Sequence, residues 1–533
     1  MGKIEKRENE NWQKVGKVSD FRDSEVKIVD YEDKKAMLIR YEGKLYAYGS
    51  KCTHYGESLE RGTLIKNVLV CPCHNAQFNI FDGSVYLPPA FDDLPVYDIK
   101  MEGEYIYIKG PNKKEIKVPE NLNNETYVII GSGAVGVSCA INLRKEGFEG
   151  RVVVITEEDS LPYDRTSLSK SYISGGLEDK YVYIKSEDFY KKLKIDFLFN
   201  HKVVELNIER KIIVCAHGAQ ISYNKLLIAT GGIPRTPQIP GVDKIGFFLL
   251  RSLSDAQAIK KYIENKKKIV LIGSGFISLE VASFLREKGY EVHIVTTSEI
   301  PFKRVFGEAI GNFIKGQHVK RGVNFHNGEI KEIVGDNHIK GVVLEGGAKV
   351  EADAVIAGIG VVPAVDFLEE TGLLEGNAVP VDEMLQSRVQ DIFAAGDIAL
   401  VPDYHTGETR RIEHWAEAEY QGQHVAKTMM GKVLPYREVP FFWTEQCSIN
   451  IKYVGHSPNF DMIVYRGKIS KEGFIAGFYE DNRLKAAVGV NRDRDITLIY
   501  EFLKADLDIT PYELKNNDID LKELYMKKLS LNG

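Results

Sequence analysis

The chain has 533 residues, 44% of them hydrophobic and 27% charged, with a formal net charge of −6. That length exceeds what one hydrophobic core supports and predicts three or four domains, while the acidic balance argues against nucleic acid as a partner. No run of about 18 apolar residues is present, so no membrane span is expected.

The opening stretch MGKIEKRENEN is rich in Glu and has no apolar core, so it reads as neither a secretory signal nor a transit peptide. Lys6 stands where a myristoylation pattern wants Ser or Thr. Residues 12–110 read as short strands between turns. VKIVDYED, KAMLIRYEG and KLYAYGS alternate and are rich in β-branched and aromatic side chains. Within them stand Cys52-Thr53-His54 and, after sixteen intervening residues, Cys71-Pro72-Cys73-His74. Two Cys–His pairs on two loop tips are the ligand set of a Rieske [2Fe–2S] cluster, with two thiolates on one iron and two imidazoles on the other. The candidate ligands are Cys52, His54, Cys71 and His74. Gly56, Gly62 and Asp82-Gly83 supply turn chemistry around them. A zinc site is the alternative, but zinc sites group Cys with Cys and His with His. The flanks CTHYGESL and CPCHNAQFNIFDG resemble Rieske-type ferredoxins. In respiratory Rieske proteins a disulfide joins the two cluster loops. Here Cys73 holds one of those positions and Glu57 the other, so the bridge is not expected. This resemblance implies a potential toward the low end of about −150 to +300 mV.

Residues 111–125 are polar and Pro-bearing and read as a linker. Then TYVIIGSGAVGVSCAINLRKEGFEGRVVVITEE gives strand, Gly-rich turn, helix and strand. Gly131, Gly133 and Gly136 form the dinucleotide fingerprint, and Glu157 ends the next strand, where it can hydrogen-bond a ribose. The pattern returns in KKIVLIGSGFISLEVASFLREKGYEVHIVTT with Gly273 and Gly275, Ser278 replacing the third glycine. Two nested nucleotide folds predict two dinucleotides. Thr296 takes the place where an NAD-preferring site carries a carboxylate, and Lys303 and Arg304 follow. DIFAAGDIAL brings Asp397 to a strand end, within reach of a flavin's ribityl hydroxyls. From residue 431 onward VPFFWTEQ, INIKYVG, DMIVYRG and GFIAGFYE read as antiparallel strands and RDITLIYEFLKADL as a helix.

PYDRTSLSK, LLIATGGIPR, AAGDIA and RIEHWAEA occur in that order and resemble the glutathione-reductase-like flavoprotein reductases that serve ferredoxins. With the amino-terminal Cys–His pairs, the chain resembles the Rieske-containing branch of the apoptosis-inducing factor family. Putidaredoxin-reductase-like ferredoxin reductases are similar without the fusion. The resemblance implies a multidomain fold: an all-β Rieske domain (1–110), an FAD domain (126–245 and 366–430), an NAD(P)H domain (246–365) and an α+β carboxy-terminal interface domain (431–533). It implies that Arg165, Lys170, Arg235 and Asp397 contact FAD, that Lys170 pairs with Glu280 near the flavin ring, and that Glu413, His414 and Trp443 lie beside flavin and nicotinamide. His201, His217 and His293 match no motif and read as ordinary residues.

The expected activity is electron transfer from NADH or NADPH to FAD, then through the [2Fe–2S] cluster to an external one-electron acceptor such as an oxygenase, a haem protein or another redox protein. Fusion raises the effective concentration of the cluster domain at the reductase. NADH is favoured by resemblance, with NADPH open. The flavin half carries no Cys-x-x-Cys dithiol, which argues against a disulfide reductase. The alternative is a redox-switched interaction protein with slow turnover. A homodimer is compatible with either. The scattered cysteines are no disulfide framework, so an intracellular compartment is expected, the cytoplasm first and the mitochondrion second.

Overall fold

The computed structural model describes residues 12–112, 115–404 and 407–532. The opening stretch read above for targeting signals lies outside them. The chain divides into two compact units, residues 1–117 and 118–533.

The first unit is all β. A six-stranded antiparallel sheet runs in the order Gln13–Lys17, Tyr105–Asn112, Val96–Glu102, Lys44–Gly49, Lys34–Tyr41, Glu25–Tyr31. Lys34–Tyr41 shows why this sequence makes a sandwich. Successive side chains of a strand point to opposite faces. Met37 and Ile39 enter one core with Leu59, Leu69 and Phe78, while Ala36 and Leu38 enter another with Phe21 and Tyr97. A second, four-stranded antiparallel sheet comprises Thr63–Ile65, Val68–Val70, Gln77–Asn79 and Val85–Leu87. Its central hairpin holds Cys71–His74 at its tip. The last strand of the unit extends to Asn112, two residues into the stretch read as a linker. The far part of that stretch is fastened to the second unit, where Lys194 Nζ donates to the carbonyls of Pro119 (2.8 Å) and Glu120 (2.6 Å).

The second unit contains two nested parallel sheets. The outer one runs Ile195–Leu198, Arg151–Ile155, Thr126–Ile130, Lys225–Ile228, Ile392–Ala394. The inner one runs Phe247–Leu249, Ala354–Ala357, Lys268–Ile272, Glu291–Thr296, Asn324–Asn327 and is inserted between the last two strands of the outer. TYVII, RVVVI and KIVLI are near-continuous apolar runs because both faces of a parallel sheet are covered. Helix Ala134–Lys145 covers the outer sheet, and helix Trp415–Met429 packs closely on it. A Cβ on Gly422 would stand 2.4 Å from the Val135 carbonyl, and Ser138 Oγ donates to Glu419 O at 2.8 Å. The carboxy-terminal part is a five-stranded antiparallel sheet, Phe441–Gln446, Ile449–Gly455, Arg483–Val490, Phe474–Glu480, Met462–Arg466, backed by helix Asp493–Lys504. Among the described residues no helix is long and apolar enough to cross a membrane.

Candidate functional sites: paired Cys–His loops and a dinucleotide cavity

In the first unit two loops bring the four candidate ligands into pairs. The backbone shapes each loop: Gly56 N donates to Cys52 O (2.9 Å), Cys52 N to Glu57 O (2.8 Å) and Cys71 N to Ala76 O (2.8 Å). Cys52 and Cys71 are each 2% exposed and belong to the apolar core of the unit. The Cys71 thiol beside Cys52, then burial, push the Cys52 thiol well above its ordinary pKa. Two adjacent buried thiolates need a positive partner, which iron supplies. His54 Nδ1 and His74 Nδ1 lie 3.1 Å apart. That separation suits two nitrogens sharing one metal at about 2.0–2.1 Å each. Among the described residues no three His, Cys, Asp or Glu side chains converge on one point. Of the four candidate ligands, Cys52 stands beside Cys71 and His54 beside His74, the division a two-iron cluster needs. Tyr55 packs against His54 at a tilt of 44°, with ring centroids 4.1 Å apart, and is itself exposed. None of the cysteines is joined in a disulfide, Cys73 included, and Glu57 is exposed.

In the second unit a cavity of about 590 Å³ begins at the first glycine turn and ends beside the carboxy-terminal sheet. The turn is built for a pyrophosphate. Gly131 adopts φ +106°, and a Cβ there would stand 2.2 Å from Ala229 O. A Cβ on Gly136 would stand 1.9 Å from Gly131 O, whereas a Cβ on Gly133 would meet no protein atom within 4 Å. The middle glycine thus faces open space at the start of helix Ala134–Lys145, where backbone N–H groups and the helix dipole favour phosphate. The second turn repeats this. Gly273 adopts φ +93° and Gly275 meets only Gly358 O at 3.9 Å. Ser278 is accommodated because Gly358 faces it: a Cβ at 358 would stand 2.4 Å from Ser278 Oγ.

Lys170, Glu280, Glu413, His414 and Trp443 all line the far end of the cavity, with Phe276 and Phe442. Lys170 Nζ donates to Glu280 Oε2 at 3.0 Å and to Thr166 O at 2.6 Å. Glu280 also accepts from Ser169 and from Thr444 (2.6 Å), so this buried carboxylate has three donors. Glu413 pairs with Arg411. Burial, then His456 and Arg410, hold the His414 imidazole neutral, its pKa lowered to about 3. Its Nδ1 is buried without a hydrogen-bond partner among the described residues. Toward the other end, Arg165 donates to Glu158 Oε1 (2.5 Å) and to Arg251 O (2.8 Å), and Glu157 is exposed on the cavity wall. Asp397 follows strand Ile392–Ala394 and accepts from Arg251 at 2.9 Å.

Two of the expected contact residues lie outside the cavity lining. Arg235 is exposed, bonds Val361 O at 3.2 Å and does not line the cavity, and the arginine beside Asp397 is Arg251. Thr296 is 7% exposed, and its hydroxyl is engaged by Ser274 Oγ (2.9 Å) and Ser298 N (3.1 Å). Lys303 is taken up by Glu308 at 2.9 Å, both exposed. Unforeseen cavity residues are Arg251, Glu158 and His201. Arg251 and Asp397 are 146 positions apart, and no local pattern in the sequence links them.

The family profile of the pyridine nucleotide-disulphide oxidoreductases matches residues 125–422. The chain belongs to that family. A Rieske [2Fe-2S] domain profile matches residues 11–98 and a reductase carboxy-terminal profile residues 441–525. Human apoptosis-inducing factor 3 is 31% identical over 516 residues, 93% of this chain and 85% of that protein. Putidaredoxin reductase of Pseudomonas putida is 30% identical over 408 residues, 75% of this chain and 97% of that protein. The solved ferredoxin reductase for the CYP199A2 system from Rhodopseudomonas palustris superposes with a TM-score of 0.73 at 31% identity, covering 75% of this chain and all of that one. The covalent putidaredoxin reductase–putidaredoxin complex gives 0.74 at 28%, covering 77% of this chain and all of that one. The oxidoreductase is therefore a Rieske domain, a flavoprotein fold and a reductase carboxy-terminal domain in one chain. Its cofactors are FAD, a [2Fe–2S] cluster and a pyridine nucleotide, and its activity is NAD(P)H-dependent flavoprotein electron transfer.

Proposed function

We propose that this oxidoreductase passes electrons from its nicotinamide nucleotide to FAD and then, one at a time, through its own Rieske cluster to an external redox protein such as a ferredoxin-dependent oxygenase or a haem protein. One observation carries the reading: among the described residues no cysteine lines the flavin cavity. A disulfide reductase needs a dithiol there. Without one, the one-electron carrier available in the chain is the paired Cys–His site. FAD, when bound, accepts an electron pair from a nicotinamide and releases electrons singly.

The chain's own residues would act as follows. Gly131, Gly133 and Gly136 admit the FAD pyrophosphate, and Glu157 accepts from its ribose. Arg165 and Asp397 hold the mid-section, Asp397 kept in place by Arg251. Lys170, oriented by Glu280, places a cation by the ring, where it favours negative charge on reduction. Glu413, His414 and Trp443 border the nicotinamide approach, and the neutral His414 adds no charge there. Gly273 and Gly275 admit the second pyrophosphate. Cysteines outside any disulfide fit a reducing intracellular compartment.

The test is anaerobic steady-state turnover with NADH, comparing ferricyanide with cytochrome c. His54→Ala is expected to keep ferricyanide reduction and lose cytochrome c reduction. Unimpaired cytochrome c reduction by the variant would mean that electrons bypass the cluster.

A further inference from the structure

The two nucleotide folds of this chain carry the same hydrogen-bond pattern at the end of their second strands, and the match fixes which residues correspond. Gly131 N donates to Ile155 O at 2.8 Å, and Gly273 N to Val295 O at 2.8 Å. Ile130 pairs with Ile155 in the first sheet, and Ile272 with Val295 in the second. One residue further, Ser132 Oγ meets Thr156 Oγ1 at 3.0 Å, and Ser274 Oγ meets Thr296 Oγ1 at 2.9 Å. Thr156 Oγ1 accepts from Glu158 N at 3.2 Å, and Thr296 Oγ1 from Ser298 N at 3.1 Å. Thr156 is 5% exposed and Thr296 7%. Both threonines are therefore structural pins that tie the strand end to the glycine turn. The counterpart of the exposed Glu157 is the exposed Thr297, and the counterpart of Glu158 is Ser298.

Glu157 and Glu158 both line the first cavity. A carboxylate in that place accepts from ribose hydroxyls and repels a phosphate on the 2′ oxygen. In the second fold both positions carry hydroxyls. Ser298 Oγ donates to Ile300 O at 2.9 Å, so its proton is already committed. Glu299 is the nearest carboxylate in the segment, but its counterpart Asp159 does not line the first cavity.

We infer that Thr297, rather than Thr296, is the residue facing the ribose 2′ position of the nicotinamide nucleotide, and that the site takes NADPH as well as NADH because no carboxylate stands there. This rests on the second fold being the nicotinamide nucleotide site. A threonine hydroxyl donates to a ribose oxygen or to a phosphate oxygen alike, so neither nucleotide meets like charge. A carboxylate at the same position would stand close to a phosphate dianion in partly screened surroundings, a repulsion worth about tenfold or more in binding.

The experiment measures kcat/KM for NADPH and for NADH, with ferricyanide as acceptor, in the full-length holoenzyme and in three variants. The wild-type protein is expected to use both nucleotides within about tenfold of one another. Thr297→Glu is expected to lower the NADPH/NADH ratio about tenfold or more. Thr297→Gln, of the same size without the charge, is expected to leave the ratio near that of the wild type. Thr296→Val is expected to change both nucleotides together, as loss of a structural pin does. A ratio unmoved by Thr297→Glu, or moved equally by Thr297→Gln, overturns the assignment. So does wild-type turnover with NADH alone. No flavin reduction by either nucleotide would overturn the reading of the second fold itself, and this assignment with it.

Discussion

Lys170 and Glu280 are 110 positions apart in sequence and 3.0 Å apart in the cavity, in contact with solvent over only 13% and 6% of their side chains. The pair joins the two nucleotide folds, since Lys170 follows the first and Glu280 sits on helix Phe276–Glu287 of the second. A buried pair of this kind depends on both partners. Glu280→Ala takes the carboxylate away from the hydroxyls of Ser169 and Thr444 and leaves the ammonium of Lys170 with Thr166 O but no counter-charge. The expected loss is about 3–5 kcal/mol of stability, read as a fall in Tm. Glu280→Gln keeps an acceptor for the hydroxyls and should cost less in Tm, while still slowing flavin reduction. Equal Tm for both variants and the wild type would remove the pair from the stability account.

The first glycine turn separates folding from cofactor binding. Gly136→Ala places a methyl group where only 1.9 Å separates it from Gly131 O, so the outer sheet cannot close and folded protein should be lost. Gly133→Ala meets no protein atom within 4 Å and should fold, judged by circular dichroism, yet retain little FAD after gel filtration. Retention of flavin by Gly133→Ala at the wild-type level would mean that this turn does not hold the pyrophosphate.

A good part of this arrangement is legible in the sequence. The paired Cys–His loops, both glycine turns and the apolar strands TYVII and KIVLI read directly, because each is a local pattern with a local cause. The correspondence between the two strand ends does not read locally, for an equally physical reason. The connection from helix Phe276–Glu287 to strand Glu291–Thr296 is two residues shorter than that from Ala134–Lys145 to Arg151–Ile155, so counting from the glycines misaligns the strand ends. Only the strand register restores the match. Arg251 carries no local signal, since only the long-range contact with Asp397 brings it into the cavity.

Acid should destabilise the flavoprotein unit through its buried histidines. His318 is 0% exposed, and burial outweighs its bond to Gln446 to lower its pKa to about 4. The unfolded chain then binds a proton that the folded one refuses, so stability is full above about pH 6.5 and falls as pH drops toward 4. The contribution is of order 3 kcal/mol. His318→Gln should flatten that part of the stability-against-pH curve by about one proton. An unaltered slope would show that His318 takes up no proton on unfolding.

The most direct measurement is anaerobic stopped-flow absorbance of the holoenzyme mixed with stoichiometric NADH. The account predicts bleaching of the flavin band followed by loss of the Rieske bands in the same molecules. Flavin bleaching with the Rieske bands unchanged would contradict it, because the electrons would then stay on the flavin and not reach the cluster.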